Sequence, residues 1–455
     1  KSFLLNSGHI FLTKKISEYV VCQIKKLLIL FVFPVLINIS GSGIPDVYKF
    51  FSIFFSLILS FFREPLYFSK PRIWAEDGTI YLNNALDNSF WNIFDPSNTG
   101  LSEINYYSFY TNFISYLSAN VFPISYAAHV NTYASFLFQL LTSIVIYKSI
   151  IHLFKNKYIC IFLALSPIFL SSPEIWLSLV SVQFWGSTGL IFILNAKKQN
   201  ILNLIYSLLA FFTGSGSLFI LPFFLLKVIQ DKKKDLFLNL ISLIGVTALV
   251  VQVKSFLESD ADSLRFQIDF LKNLPKGLVS SLFPRFINTS NRFLPISADS
   301  IYNPFTLFII FLFILLVFIS IMICLRTKNS EEISYRLLMP IFSYWLLSTI
   351  SSMNMAGGER YGLPVYCGLT FVILLAVEYQ KNKLIKLILV FIFSFIYILR
   401  IPVFFDTFKF YDPSWLNWKE QVEERNASEE TVVKVFPQWK NFPSWELSLL
   451  PLTNE

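Results

Sequence analysis

Residues 305–325 read FTLFIIFLFILLVFISIMICL, an apolar stretch that contains no charged residue. An α-helix needs about 20 predominantly apolar residues to cross the hydrocarbon core of a bilayer, so this stretch is long enough to span a membrane. Similar runs recur between Val47 and Pro402. The sequence therefore predicts an all-α polytopic membrane protein.

The composition of the whole chain agrees with this prediction. Of its 455 residues, 55% are hydrophobic, 18% are aromatic and 15% are charged, whereas an average soluble domain has about 25% charged residues. This composition excludes a soluble enzyme, a disordered protein and a nucleic-acid-binding module. The net charge of +8 comes from short basic tracts between apolar runs, which is the pattern of membrane orientation rather than of a nucleic-acid patch.

The apolar runs predict about ten or eleven transmembrane helices, which divide the chain into three parts. The predicted spans are 46–63, 124–149, 158–173, 178–196, 200–213, 216–230, 236–255, 305–325, 336–353, 362–380 and 384–402. The pair within 200–230 is short and interrupted by glycines, so a tight or re-entrant hairpin is an alternative there. Residues 1–45 are predicted to be an interfacial or re-entrant extension, and 46–402 the membrane domain.

Lysine and arginine tracts predict the orientation of these spans. Five tracts fall on one side of the predicted topology, which should be cytoplasmic. The loops 64–123 and 256–304 and the tail 403–455 then lie on the opposite side. Residues 104–121 are predicted to form an amphipathic helix in the first of these loops.

The tail is predicted to be a small Trp-rich outer domain. Its tryptophans are Trp415, Trp418, Trp439 and Trp445. A helix over Trp415–Arg425 and a strand over Val432–Phe436 are expected. We expect the tail to dock near the first-loop helices through Trp439 and Trp445; the alternative is an independent mini-domain.

The first outer loop opens with PRIWAEDGTIY, residues 71–81. Its adjacent acids, Glu76 and Asp77, would lie at the membrane surface, where carboxylates are costly unless they have partners or a function. A carboxylate there can act as a general base on a hydroxyl group, with a pKa raised by burial or by its neighbour. The alternative is that one of them caps a helix that begins near Gly78.

The acidic pair after the first predicted span resembles the GT-C superfamily, integral-membrane glycosyltransferases that use polyprenyl-phosphate-linked sugars. The resemblance continues in PEIWLSL at 173–179, QFW at 183–185 and GGERYGLP at 357–364. It covers most of the chain from about residue 46, in ordered pieces. It is nearest to bacterial O-antigen-modifying, serotype-converting glucosyltransferases.

The resemblance implies an inverting sugar transfer in which Glu76 is the base and Asp77 orients the base or the acceptor. Arg360, with Tyr361, could hold the donor phosphate, because a guanidinium binds phosphate bidentately; an interfacial anchor is the alternative. Arg72 is a second phosphate candidate, or else a local partner of Glu76.

Four further residues are candidates for sugar or acceptor binding: Glu174, Trp176, Gln183 and Trp74. An aromatic ring can stack on the C–H faces of a sugar while a neighbouring acid accepts hydrogen bonds from its hydroxyl groups. The alternative for the pair Glu174 and Trp176 is an interfacial tryptophan beside a solvated acid.

The cysteines and histidines show no metal-ligand spacing, so we expect neither a metal nor a cofactor. The expected partners are a polyprenyl-phosphate sugar donor, a glycan acceptor such as lipopolysaccharide O-antigen, and membrane lipids. Glucose is the expected sugar, and the expected location is the bacterial inner membrane with a periplasmic site. The rival functions are a lipid-linked oligosaccharide transporter or polysaccharide polymerase, and a non-catalytic membrane scaffold.

Overall fold

The computed structural model describes residues 45–74, 76–87, 89–95, 106–171, 176–231, 235–258, 304–327, 330–351, 359–405, 417–428, 432–435 and 446–448. These residues are mostly helical. The first half contains α1 Pro45–Arg63, α2 Leu66–Ser69, α3 Asn83–Asp87, α4 Phe109–Tyr116, α5 Ala127–Ile150, α6 Lys157–Leu170, α7 Val182–Leu194, α8 Ile201–Phe211 and α9 Leu221–Gln230. The second half contains α10 Leu236–Glu258, α11 Pro304–Leu325, α12 Ser330–Ile333, α13 Met339–Ser351, α14 Leu363–Tyr379, α15 Lys383–Phe405 and α16 Trp418–Ser428.

Three helical segments of the described part are long and apolar enough to cross a membrane. They are Ile124–Ile150, Leu236–Leu257 and Phe308–Leu325. In the last two, 33% and 28% of the apolar window is buried inside the protein, so most of each surface faces outward. A helix with an exposed apolar surface suits contact with lipid, because its backbone polar groups are already bonded within the helix.

Each predicted span overlaps a helix of the structure. The pair within 200–230 consists of α8, with 11 residues, and α9, with 10 residues, joined by a 3-10 turn over Ser215–Ile220. Both helices are shorter than the roughly 20 residues that a full crossing needs. The expectation that each half is short is therefore confirmed.

The end of α1 is fastened to the end of α6 by the buried side chain of Arg63. Its Nη1 donates to Ser171 Oγ at 2.6 Å and to the Ile168 carbonyl at 3.0 Å, and its Nη2 donates to the Ser171 carbonyl at 2.7 Å. The last carbonyls of a helix lack partners within the helix and carry partial negative charge, so a guanidinium satisfies both needs. This junction brings the segment after α1, with the acidic pair, close to the segment before α7.

The predicted amphipathic helix over 104–121 is shorter than expected. Its described part is α4, continued by a π-helical turn over Leu117–Val121. The start of α4 and the residues before it pair with the turn between α8 and α9. The Phe109 amide donates to the Phe212 carbonyl at 2.8 Å, and the Gly214 amide to the Tyr107 carbonyl at 3.1 Å.

The tail packs on the elements of the first long loop. It contains α16 and an antiparallel pair of strands, β1 Val432–Lys434 and β2 Glu446–Ser448, in which Val433 lies opposite Leu447. Strand β1 lies within the predicted strand. The buried cluster that joins tail and loop consists of Ile73, Leu82, Ala127, Ala128, Trp418, Val422, Val433, Val435 and Leu447.

Trp418 is the anchor of this contact among the described residues. It is 1% exposed, and its Nε1 donates to the Ile124 carbonyl at 2.8 Å. The described part of the tail therefore lies against the first-loop elements, as expected. Trp439 and Trp445 lie outside the described residues, as do the N-terminal residues 1–44 and most of the loop 256–304.

Candidate functional site

The acidic pair lies at the start of a short π-helical segment, Asp77–Leu82. π-Helical turns are rare and often occur at functional sites. Glu76 immediately precedes the segment and makes no side-chain capping hydrogen bond to it. The structure therefore does not support the alternative in which Glu76 is simply the cap of this helix.

Asp77 is buried and holds the chain just before α7. Its Oδ1 accepts from the Val180 amide at 2.7 Å, and its Oδ2 accepts from the Leu179 amide at 2.9 Å. Burial raises the pKa of Asp77 to about 7; the two amide hydrogen bonds act in the opposite direction, and the charge of Glu76 adds to the rise. The carboxyl group of Asp77 is thus committed to positioning the backbone.

The turn that Asp77 holds is conformationally strained. Leu177 has φ of 57°, in the left-handed region, which costs a non-glycine residue on the order of 1–3 kcal/mol and persists only where its surroundings fix it. The bonds from Leu179 and Val180 to Asp77 lie directly after this residue. Asp77 therefore helps to fix the strained turn against the acidic pair.

We expect Asp77→Asn to change how stability depends on pH. A carboxyl pKa raised from 3.8 to about 7 by folding stabilises the fold fully below pH 4, and that stabilisation is lost as the pH rises through 7. The loss amounts to about 4 kcal/mol, since one pKa unit corresponds to about 1.4 kcal/mol. Asparagine does not titrate, so the apparent melting temperature of the wild type in detergent should fall relative to the variant between pH 4.5 and 8. A difference that is constant over this range would contradict the assignment.

Glu76 is partly exposed and lies beside a group of aromatic residues. Ile80, Tyr81 and Val180 form a buried cluster, with Trp74 and Tyr106 packed against it. The charge of Glu76 acts on Tyr106 and, with burial as the larger cause, raises the pKa of that phenol to about 12. The Tyr106 hydroxyl is therefore neutral near pH 7, and it accepts a hydrogen bond from Gln183 Nε2 at 3.1 Å.

Tyr361 reaches the same place from a distant part of the sequence. Its ring meets Phe184 of α7 edge to face at 5.1 Å between centroids, and its phenol interacts electrostatically with Tyr106. Tyr361 belongs to a 3-10 turn, Glu359–Gly362, which also contains Arg360 and leads into α14. The structure thus brings together five predicted residues: Trp74, Glu76, Asp77, Gln183 and Tyr361.

The turn that contains Gly214 packs directly against the side chain of Gln183. Gly214 has φ of 83°, and a Cβ atom there would lie 2.3 Å from Gln183 Oε1. Only glycine combines this backbone conformation with so close an approach. The turn therefore positions Gln183 and, through the bond to the Tyr107 carbonyl, the backbone beside Tyr106.

Arg72 does not join this group through the contacts described for it. It is 6% exposed, its Nη2 donates to the Tyr67 hydroxyl at 2.7 Å, and its guanidinium lies 5.1 Å from the centre of the Tyr67 ring. These contacts tie Arg72 to Tyr67. The phosphate role of Arg72 and its alternative, a local pairing with Glu76, both stay predictions.

Trp176 is also buried, which does not fit the predicted stacking on sugar. It is 1% exposed, its ring meets Tyr67 edge to face at 5.1 Å, and the guanidinium of Arg63 lies 4.9 Å from its centre. Both the edge and the face of the indole are in contact with protein, so Trp176 stabilises the α1–α6 junction. Glu174 lies outside the described residues.

Two residues of the site were not predicted from the sequence. Tyr81 follows Glu76 by five positions in the same quoted string, and its spacing on the π-helical segment is a signal that could have been used. Tyr106 carries no such signal, because only the pairing of its segment with the 212–214 turn brings it to the acidic pair.

No family model matches the chain, and neither a curated protein nor a solved structure matches it.

Proposed function

We propose that the protein is a membrane glycosyltransferase of the GT-C type, which transfers a sugar from a polyprenyl-phosphate donor to a glycan acceptor. The observation that carries the proposal is the proximity of two motifs: the partly exposed Glu76 beside the buried Asp77, and the turn that contains Arg360 and Tyr361, since Tyr106 interacts electrostatically with both Glu76 and Tyr361. An inverting transfer needs a base for the acceptor and a cation for the departing phosphate, and these two motifs can supply them.

In the proposed mechanism, Glu76 accepts the proton of an acceptor hydroxyl group. The acceptor oxygen then attacks the anomeric carbon, and the bond from that carbon to the phosphate oxygen breaks. The leaving group is polyprenyl phosphate, whose developing charge Arg360 stabilises. Asp77 fixes the position of the turn before α7 relative to the neighbouring Glu76 through its two backbone hydrogen bonds.

An apolar cavity supports a lipid-linked donor. It has a volume of about 590 Å³ and is lined by residues of α9, α11, α13 and α14 and by Leu338 just before α13. Val365 and Leu369 line it, and both lie on α14 just after the turn that contains Arg360. A lipid whose phosphate is held at that turn would have an apolar space for part of its chain close by.

The location of the protein follows from the same proposal. We place it in the bacterial inner membrane with the site on the periplasmic face, because the basic tracts predict that orientation. Lipopolysaccharide O-antigen is then the expected acceptor, and glucose the expected sugar.

The proposal is tested by a transfer assay with the purified protein in liposomes. Donors are polyprenyl phosphates that carry glucose, galactose, mannose or N-acetylglucosamine, and the acceptor is O-antigen lipopolysaccharide. We expect transfer of one of these sugars with inversion at the anomeric carbon, as determined by NMR. Movement of the lipid-linked sugar across the bilayer without transfer would favour the transporter, and neither activity would favour the scaffold.

Arg360→Ala is expected to reduce the transfer rate by about 10²–10³-fold, the usual cost of removing one group that stabilises an oxyanion. Arg360→Lys should recover part of the loss, because lysine keeps the charge but not the bidentate geometry. The matched control is Arg326→Ala, an exposed arginine just after α11. Equal rates for Arg360→Ala and the control would exclude the phosphate role.

A further inference from the structure

Two tyrosine hydroxyl groups in the site have no role in the transfer as proposed so far. Tyr81 is 4% exposed, and its hydroxyl lies beside the Tyr106 hydroxyl and interacts with it. Each phenol carries one donor hydrogen and two acceptor lone pairs, so two phenols that share one contact keep hydrogen-bonding capacity for a ligand.

The position of Tyr106 shows which part of a donor would lie beside it. Tyr106 interacts electrostatically with both Glu76 and Tyr361, so its hydroxyl lies near the acidic pair and near the turn that contains Arg360. In an inverting transfer the sugar lies between the attacking hydroxyl group and the departing phosphate. A side chain near both the proposed base and the proposed phosphate-binding turn is therefore placed to contact the donor sugar.

The chemistry of this pair fits neutral sugar hydroxyl groups. Burial raises the pKa of both phenols, that of Tyr81 well above its usual value, so both remain neutral donors and acceptors. Gln183 Nε2 donates to the Tyr106 oxygen, which orients the phenol so that its own hydrogen is available to another acceptor. The nearby carboxylates disfavour a second anion here.

We infer that Tyr81 and Tyr106, oriented by Gln183, form the subsite that recognises hydroxyl groups of the donor sugar and so sets which sugar is transferred. The inference rests on the proposed function and adds to it the residues that determine its specificity. It assigns to these two tyrosines the selection of the sugar, as a role separate from the binding of phosphate and lipid.

The test measures binding to the full-length protein in nanodiscs. The probes are sugar-free polyprenyl phosphate and the same lipid carrying each of the four sugars of the transfer assay. We expect the wild type to prefer one sugar-bearing lipid. In Tyr81→Phe and Tyr106→Phe that lipid should bind about 5–10-fold more weakly, the loss expected for one neutral hydrogen bond, while sugar-free polyprenyl phosphate binds as before.

Two controls make the result specific. Tyr110→Phe removes a phenol of the same segment whose hydroxyl donates to the Ala134 carbonyl at 2.8 Å, and it should leave the preference unchanged. Deoxy analogues of the preferred donor identify the bonded hydroxyl: the analogue that lacks it should bind the wild type and the affected Tyr→Phe variant equally.

The outcomes separate this inference from the proposed function. If the wild type binds none of these lipids, both the proposed function and the sugar subsite are refuted. If it transfers a sugar and both Tyr→Phe variants keep the wild-type preference, the subsite is wrong and the glycosyltransferase stands. A loss of binding to sugar-free polyprenyl phosphate as well would also overturn the inference, because it would show a general disturbance of the site.

Discussion

Glu76→Gln is expected to reduce the rate of sugar transfer by about 10²–10⁴-fold, the usual contribution of a general base. Glutamine keeps the size of the side chain and its hydrogen bonding but cannot accept the proton of the acceptor. Binding of the donor lipid should be preserved, since the proposed phosphate contact lies at Arg360. The measurement is the initial rate in liposomes at equal protein content, with binding of the donor measured in parallel.

The comparison with Asp77→Asn separates the two acids. Asp77 accepts two backbone hydrogen bonds and is fully committed to them, so its loss should reduce the rate less than the loss of Glu76 and should change stability as well. Glu423→Gln is the matched control, because that acid is exposed on α16 and pairs only loosely, at 3.7 Å, with Lys419. Full activity in Glu76→Gln would refute its role as the base.

Trp418→Ala is expected to release the tail from the first-loop elements. A buried tryptophan truncated to alanine typically costs about 3–5 kcal/mol, and this variant also removes the hydrogen bond to the Ile124 carbonyl. The effect should reach the acidic pair, because a Cβ atom on Gly78 would lie 2.9 Å from the methyl groups of Val435. The tail thus packs against the residue that follows Asp77.

Two measurements follow the consequences of Trp418→Ala. Limited proteolysis should cut the tail faster, and sugar transfer should fall by about 10-fold or more, since a displacement of about 1 Å can cost 10²-fold in rate. Trp91→Ala is the control, because Trp91 is 75% exposed in the first loop. A released tail with normal transfer would show that the tail only stabilises the protein.

The helices were predictable because apolar runs of membrane length leave few other structures possible. The same reasoning located the short pair α8 and α9, whose lengths the intervening glycines limit. The strand in the tail was predictable from Val432, Val433 and Val435, which favour extended backbone.

The sequence identified several residues of the site, but it did not identify the groups that those residues contact. The acidic pair and the Arg360–Tyr361 motif were visible in the sequence, but the amides bound by Asp77 lie 102 and 103 positions away. The burial of Trp176 likewise depends on Arg63, a residue of another helix. Contacts of this kind are fixed by tertiary packing, which local composition does not report.

The contact between the tail and the first loop also orders events during synthesis. The hydrogen bond from Trp418 to Ile124 joins residues 294 positions apart, so all the helices from α5 to α15 must be made before it can form. Until then the backbone around Gly78 lacks the packing of Val435. The acidic pair therefore reaches its final surroundings only after the chain through α16 and β1 has been synthesised, and a polypeptide that stalls earlier carries the pair without this support.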